Sequence, residues 1–558
     1  MLPEIYERFP PPLVALQILA ILTLVYTIVL VINRLYFSPL SSVPGPKLAA
    51  ATSLYEFYYN VVKGGKFFLK IQELHEEYGP IVRLGPNEVH ISDPTFYSTI
   101  YSLTDKRNKA ARLYRNAFWG RTSSFSTLDH DLHRLRRGMV NQFFSMAKIR
   151  TFAPWIQERV DLLCERFNSE FRIESEPAST ASSEGDRNPD KIVNLTDAFS
   201  CLTADTIMEY SFAEHYDLCA KKDFKSDLIK ILVVFFGQIH VVINFPFLLH
   251  LQMAILPRWF VLLLDPINDV IFSYMDNILS QIIGTISGTS QSHQDVSHST
   301  IFADILSTKK VPPKEKSKER LFDESQVVVS AGLETTGNAL AVTMFYILED
   351  GEVLRRLKEE MDGVWSELAE GETPNLLRLE GCAYLTAVIF EALRLSYGPI
   401  ARLPRIAPNQ TLTYTNPHTN TTYPLPPGTV MSTSTYTMNQ NPVLFPNPQA
   451  FLPSRWLPDP VTGEAPRAPS LPMPSTSSTK GGMKGSEKLS NYLATFGKGS
   501  RSCPGMNLAW AEMYITLANV IRKCDMELWE TGRENVVPDK EYFLSRPKVE
   551  GGVRVRIL

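Results

Sequence analysis

The apolar positions of this chain fall into several kinds of pattern, and each kind predicts a different element. Residues 13–32 are almost unbroken, with only Gln17, Thr23, Tyr26 and Thr27 as polar interruptions. As one helix, about twenty such residues cross roughly 30 Å of hydrocarbon, so the pattern predicts a single N-terminal transmembrane helix over 13–32. A cleaved signal peptide is the rival reading, but the apolar core is long for one and no small-residue cleavage site follows cleanly. Between Tyr78 and Pro94 the pattern turns strand-like. Ile81, Val82 and Leu84 precede Gly85-Pro86-Asn87, then come Val89 and Ile91, which predicts a hairpin. Residues 323–348, 384–396 and 506–528 carry apolar positions at helical spacing. Residues 229–266 are strongly apolar, with Phe235, Phe236, Phe245, Phe247 and Trp259, and buried helices are the default explanation. His240, Asn244, Pro246, His250 and Pro257 interrupt that stretch too often for a second span. The fold class is therefore mainly α with a small β region.

Polar and turn-forming stretches separate these elements. Residues 38–46, with Pro39, Pro44, Gly45 and Pro46, predict a stiff extended connector. Residues 108–126, rich in aromatics and arginine, lack a clean period and are either a loop over an active site or an ordinary surface loop. Residues 287–318, Ser/Thr/His-rich and then Lys-rich, read as an exposed connector. Residues 459–488, full of Pro, Ser, Gly and Thr, read as a disordered insertion.

Charge orients the chain. Glu4 and Glu7 outweigh Arg8 before the apolar run, and Arg34 and Lys47 follow it, so residues 1–12 are expected in the lumen and the rest in the cytosol. A net charge of -3 over 558 residues gives no nucleic-acid footprint. Six cysteines without CxxC or paired zinc spacing argue against disulfide frameworks and zinc ribbons, and fit a reducing compartment. The sequons at Asn194, Asn409 and Asn420 are expected to be unmodified.

Candidate chemistry centres on Cys503. Residues 496–505 read Phe-Gly-Lys-Gly-Ser-Arg-Ser-Cys-Pro-Gly, and three glycines there free the backbone to approach a bulky flat partner. Pro504 suits the first turn of the helix that follows. At that N-terminus the dipole and free N–H groups favour thiolate over thiol, which is what an axial iron ligand requires. Phe496, Gly497, Gly499, Arg501, Cys503 and Gly505 match the haem signature Phe-Gly-x-Gly-x-Arg-x-Cys-x-Gly. Six fixed positions recur by chance in such a chain on the order of a few times in a million. Here the chain resembles the cytochrome P450 superfamily, the haem-thiolate monooxygenases. The pieces from Pro44 to the C-terminus follow family order, which implies one catalytic domain of cytochrome P450 fold over 48–558 after a proline-rich hinge at 33–47.

The resemblance implies roles at further positions. Ala331-Gly332-Leu333-Glu334-Thr335-Thr336 matches the family's Ala/Gly-Gly-x-Asp/Glu-Thr-Thr/Ser motif, whose place in the middle of an apolar helix suggests a local kink for dioxygen. Thr335 would then hydrogen-bond the oxygen and Glu334 would relay protons. In residues 129–145, His133 and Arg137 share a helix face and resemble the family's Trp-x-x-x-Arg propionate pair, with histidine in place of tryptophan. Arg134 and Arg136 are either a solvated face or part of a docking site for an acidic redox partner. Glu391 and Arg394 match Glu-x-x-Arg, and Arg455 is their expected partner in a folding and haem-retention cluster. Arg402 is the favoured second propionate arginine, with Arg405 competing for the role.

Those resemblances imply haem b, held by Cys503 with Arg501, Phe496, Gly499, Arg137, His133 and Arg402 around it. They imply a monooxygenase that uses O2 on a lipophilic small molecule, with a terpenoid or similar polycyclic substrate favoured by likeness to fungal secondary-metabolism members. No nucleotide or flavin motif is present, so NADPH-cytochrome P450 reductase is the expected electron donor. Residues 229–266 would roof the pocket and touch membrane lipid, and the endoplasmic reticulum membrane is the expected location, with the catalytic domain on its cytosolic face. Two rivals stand beside this reading: an isomerase or dehydratase of the same fold that uses no O2, and a non-enzymatic membrane haem sensor.

Overall fold

A computed structural model of the chain describes residues 12–116, 120–173, 191–225, 234–251, 255–289, 296–471 and 487–558. Residues 1–11 of the expected luminal tail and residues 472–486 of the expected insertion lie outside the described residues. So do positions 117–119, 229–233, 252–254 and 290–295 of the segments discussed above. The architecture is mainly helical with small sheets.

Pro12–Ile32 is an α-helix that runs on into a π-helical turn, Asn33–Phe37. Its most apolar window is wholly exposed at a mean hydropathy of 2.6, and among the described residues it is the one helix long and apolar enough to cross a membrane. The Thr23 and Thr27 hydroxyls donate to the Leu19 and Thr23 carbonyls at 2.7 Å, so these polar interruptions are satisfied inside the helix, as hydrocarbon requires. The connector that follows is docked rather than free. Leu40 and Val43 are buried, and the Arg83 guanidinium donates to Leu40 O and Ser38 Oγ. At Gly45, φ is +151° and a Cβ would come within 2.6 Å of Arg83 O.

The expected hairpin forms from Ile81–Gly85 and Glu88–Ile91, paired antiparallel with Ile81 opposite Ile91. It starts a five-stranded sheet that continues through Val430–Ser432 and Arg405–Ile406 to Asn108–Lys109. Beside the sheet lies the helical core, whose centre is the Lys318–Glu349 helix packed on Leu195–Phe212. Small residues set that approach: a Cβ on Gly332 would lie 2.7 Å from Ile207 Cγ1, and one on Gly337 would lie 2.8 Å from Ser200 Cα. Gly332 thus has a packing reason independent of chemistry. The helix is continuous through the Gly332–Thr336 stretch, from Lys318 to Glu349.

One further expectation changes, and at 229–266 the default of buried helices holds only in part. Within 287–318, Ile301–Ser307 is a helix whose Ile301, Phe302 and Ile305 are fully buried, so the segment is only partly an exposed connector. Within 229–266, the described helices Ile239–Asn244, Pro246–His250 and Arg258–Leu264 bury a few positions but leave Phe247, Ile255, Trp259 and Leu263 more than half exposed. That apolar surface fits contact with lipid better than burial in a core.

Candidate active site

The Cys503 loop is built on a buried ionic cluster. Glu391 and Arg394, both on Ala383–Ser396, are wholly buried and 2.8 Å apart. Each Glu391 oxygen is fully used: Arg455 Nε and Leu452 N donate to Oε1 at 3.1 and 2.9 Å, and Trp456 Nε1 donates to Oε2 at 2.8 Å. Arg394 spends its remaining donors on the Asn439, Pro448 and Ala450 carbonyls. Asn439 carries the cluster to the loop, accepting from Ala494 N at 3.0 Å and donating to Thr495 Oγ1 at 3.1 Å. The loop then turns through Gly497 (φ +65°) and Gly499 (φ +76°), and Cys503 N closes it on Phe496 O at 2.8 Å. Gly499 does not face the cavity. A Cβ there would stand 2.2 Å from Tyr101 O, so its task is close passage beneath the Tyr101 backbone.

Cys503 is the one exposed cysteine among the described residues, yet it lies deep in the protein, because what it faces is an internal cavity rather than bulk solvent. Burial pushes its thiol up, while Arg137 and the Gly505 backbone N–H pull the other way. The helix Met506–Lys523 begins three residues later, which sets Cys503 just ahead of its N-terminus.

Across the same cavity stand Ala331, Gly332, Thr335 and Thr336 of the Lys318–Glu349 helix. Thr335 Oγ1 donates to Ala331 O at 2.8 Å. Glu334 is buried beside it, with Oε1 accepting from Arg546 and Oε2 without a partner. Glu512, on the helix after Cys503, was not singled out from sequence. It lines the cavity, burial pushes its carboxyl up to about 8, and the Thr336 hydroxyl opposes that shift by hydrogen bonding.

Positive charge gathers at one side of the cavity. Lys109, Arg137, Arg405 and Arg501 all line it, and His133 joins them. Arg137 Nη2 donates to Ser502 O, and Arg501 donates to the Thr127, Leu128 and Asp129 carbonyls. His133 is driven down to about 2 by burial and by Arg501, so it is neutral, and its Nδ1 has no partner. Arg501 Nε is also unpartnered. One carboxylate of the same lining, Glu324, is already engaged by Arg320 at 2.5 Å and by Ser124. The Arg137, Arg405 and Arg501 guanidiniums, with the idle Nε of Arg501, and a committed acid suit a ligand that carries its own carboxylates.

Arg402 is not among them. It pairs with Glu56 and Glu88 outside the cavity and lies 4.9 Å from the Phe67 ring centroid. Burial alone would raise the Glu56 carboxyl, but Arg402 and Arg112 outweigh it and hold it at about 2. In an extended segment, positions three apart point to opposite faces, so only one of Arg402 and Arg405 can turn inward. Arg405 is that one, buried and donating to Tyr114 Oη at 2.8 Å. Arg136 likewise leaves its expected surface role and pairs with buried Glu315 at 3.0 Å, whereas Arg134 is exposed. Lys109 was missed because nothing in the local sequence marks a lysine on a two-residue strand as inward-facing.

Comparison with known proteins agrees with this geometry. The family model described as Cytochrome P450 matches residues 49–551. Conidiogenone synthase PchP450 of Penicillium rubens is 36% identical over 537 residues, spanning 95% of this chain and 96% of that protein. Cytochrome P450 monooxygenase MO6277 of Ascocoryne sarcoides is 36% identical over 564 residues, spanning 98% and 99%. Cytochrome P450 monooxygenase pbrB of Penicillium brasilianum is 32% identical over 537 residues. The chain belongs to the cytochrome P450 family, and it is a monooxygenase of the kind found in fungal secondary metabolism. Membership implies haem with a cysteine thiolate as axial ligand, a redox partner and O2.

Proposed function

We propose that this protein inserts one atom of O2 into a C–H or C=C bond of a lipophilic small molecule, a terpenoid or similar polycyclic scaffold. Electrons would come from NADPH through a separate diflavin reductase. The observation that carries the reading is that Cys503 and Thr335, on different elements, line one cavity whose other side is cationic. Cys503 Sγ would hold the haem iron, with Lys109, Arg137, Arg405, Arg501 and neutral His133 positioned for the propionates. When bound, that haem supplies the reductive activation of dioxygen.

The chain's own residues do the rest. Thr335 Oγ1, turning from Ala331 O, presents a proton to the space opposite Cys503. Glu334, with one oxygen on Arg546 and the other idle, is placed to resupply it. Glu391, Arg394 and Arg455 keep the cysteine loop in register. Apolar walls exclude water, and the exposed Phe247, Trp259 and Leu263 suit loading of a lipophilic substrate from a membrane. The layout in this reading is a transmembrane helix at 13–32, a hinge at 33–47 and a catalytic domain at 48–558, on the cytosolic face of the endoplasmic reticulum.

The test is spectroscopic and then chemical. The ferrous protein under carbon monoxide should show a far-red-shifted Soret band, Cys503→Ser should abolish it, and a serine variant with unchanged spectrum and turnover would sink the assignment. In cells co-expressing a reductase, Thr335→Ala should consume NADPH without matching product. Unchanged coupling would remove Thr335 from its role.

A further inference from the structure

Two cysteines that take no part in the cavity meet at the far end of the helix that follows Cys503. Cys164 lies near the end of the helix Met146–Arg166, and Cys524 is the residue that closes Met506–Lys523. They are 360 residues apart in the chain, yet the Cys524 thiol donates to the Cys164 carbonyl at 4.0 Å and the two thiols hydrogen-bond each other. Polar ties on both helices hold them there. Gln157 and Asn519 exchange side-chain amide hydrogen bonds, each at 3.1 Å. One turn further on, Lys523 pairs with Asp161, and Asn168 Nδ2 donates to Lys523 O at 3.0 Å. These contacts bracket the two sulfurs. A disulfide tolerates little displacement of the backbone, and thiols already touching on cross-tied helices require little.

The pair is buried but not sealed. Cys164 lines an open recess at the surface together with Asp161, Glu165, Trp365 and Arg522, whereas Cys524 is not part of that lining. A small reagent therefore meets Cys164 first and reaches Cys524 only through it. Cys201 and Cys219 provide the contrast, since both are wholly buried and neither lines the recess. A cysteine enclosed in that way acts as an inert apolar filler. Cys164 differs in having both an approach from solvent and a partner thiol behind it.

We infer that Cys164 and Cys524 form a reversible redox-modification site whose oxidant is a low-molecular-weight disulfide, that of glutathione being the probe. The Cys164 thiolate attacks one sulfur of the small disulfide and expels one small thiol. Cys524 then attacks Cys164 Sγ in the mixed disulfide and expels the second. Two protein S–H bonds and one small S–S bond break, one protein S–S bond forms, and both protons end on the two small thiols. A dithiol reductant runs the exchange backwards. The Cys524 contact and burial hold the Cys164 proton well above the usual thiol range, so the exchange is slow at neutral pH and follows sustained oxidation rather than a brief pulse. Once closed, the bond fastens the helix that begins just after Cys503 to Met146–Arg166 and slows unfolding.

The experiment holds the full-length holoprotein in glutathione buffers from fully reduced to fully oxidised, unfolds it in an alkylating agent that traps every free thiol, and digests it without reduction. Under oxidising conditions the peptides carrying Cys164 and Cys524 should come off joined, while Cys201 and Cys219 are recovered alkylated. Dithiothreitol added before trapping should separate the pair. Cys524→Ser should stop at a single glutathione carried on Cys164. The joined protein should survive an inactivating temperature with a half-life at least about threefold longer than the reduced protein. The inference is overturned if no joined peptide forms in the folded protein, if wild type stops at the mixed disulfide, if Cys201 and Cys219 are oxidised as readily, or if the half-life is unchanged. Wild-type peptide mapping decides the point even where the serine variant fails to fold. Thiol trapping uses neither substrate nor the carbon monoxide spectrum, so this inference and the proposed function fail separately.

Discussion

The floor of the cavity and its roof are made by different rules. At the floor, a loop of fixed spacing carries Cys503, backed by a wholly buried Glu391–Arg394 pair and flanked by Arg137, Arg405 and Arg501. At the roof, Phe125, Phe236 and Phe543 come from three segments far apart in sequence, and the Phe543 ring meets the other two. Charge and hydrogen bonds specify the floor, where a misplaced donor leaves a buried group unsatisfied. Shape specifies the roof, where one apolar ring can replace another at modest cost. Such a division lets the shape of the roof vary while the floor is kept.

The comparison breaks hardest at the floor's foundation. Arg455→Ala leaves buried Glu391 with one guanidinium instead of two, and should cost about 3 to 5 kcal/mol and lose haem. Urea unfolding and the ratio of Soret to protein absorbance measure both, and a fully loaded, stable variant would remove the cluster from the floor. Next comes the pair that structure separates. Arg405→Ala should lower haem retention, whereas Arg402→Ala should keep the haem but destabilise the fold, since it leaves Glu56 and Glu88 facing each other without their shared cation. The reverse outcome would restore Arg402 to the cavity.

At pH 5 the smallest effect is expected at Glu512. Its carboxyl is raised from an ordinary 4.5 to about 8, so the folded state holds a proton that the unfolded chain has released over that interval. Stability from this group is therefore fully present below about pH 4.5 and lost as pH rises toward 8. Glu512→Gln, neutral throughout, should flatten that part of the stability profile while changing stability at pH 5 by less than about 1 kcal/mol. An unchanged slope would show that the carboxyl is ionised in the folded protein.

How much of this was readable from residues alone follows the same division. The N-terminal span, the 81–91 hairpin, the Cys503 loop and the Glu391 cluster were legible, because each rests on local spacing or on a charge pattern that tolerates little variation. Arg402 was misplaced because its motif position says nothing about which face of an extended strand meets Glu56 and Glu88, contributed from elsewhere in the chain. Arg136 was read as surface because buried Glu315, its partner, is 179 residues away. Lys109, Glu512 and Phe543 were missed because a lone lysine, a helical glutamate and a phenylalanine carry no signature of their own.

What the amino-acid order by itself determined is the family, the long apolar N-terminal helix and the glycine-rich Cys503 loop, all of them set by spacing within a few turns of chain. Only the folded molecule decided which arginine faces inward, which carboxyl is pushed up by burial and which aromatic rings line the roof. Those outcomes depend on burial and on partners hundreds of residues distant, and desolvation acts on a side chain only once the rest of the protein has closed around it.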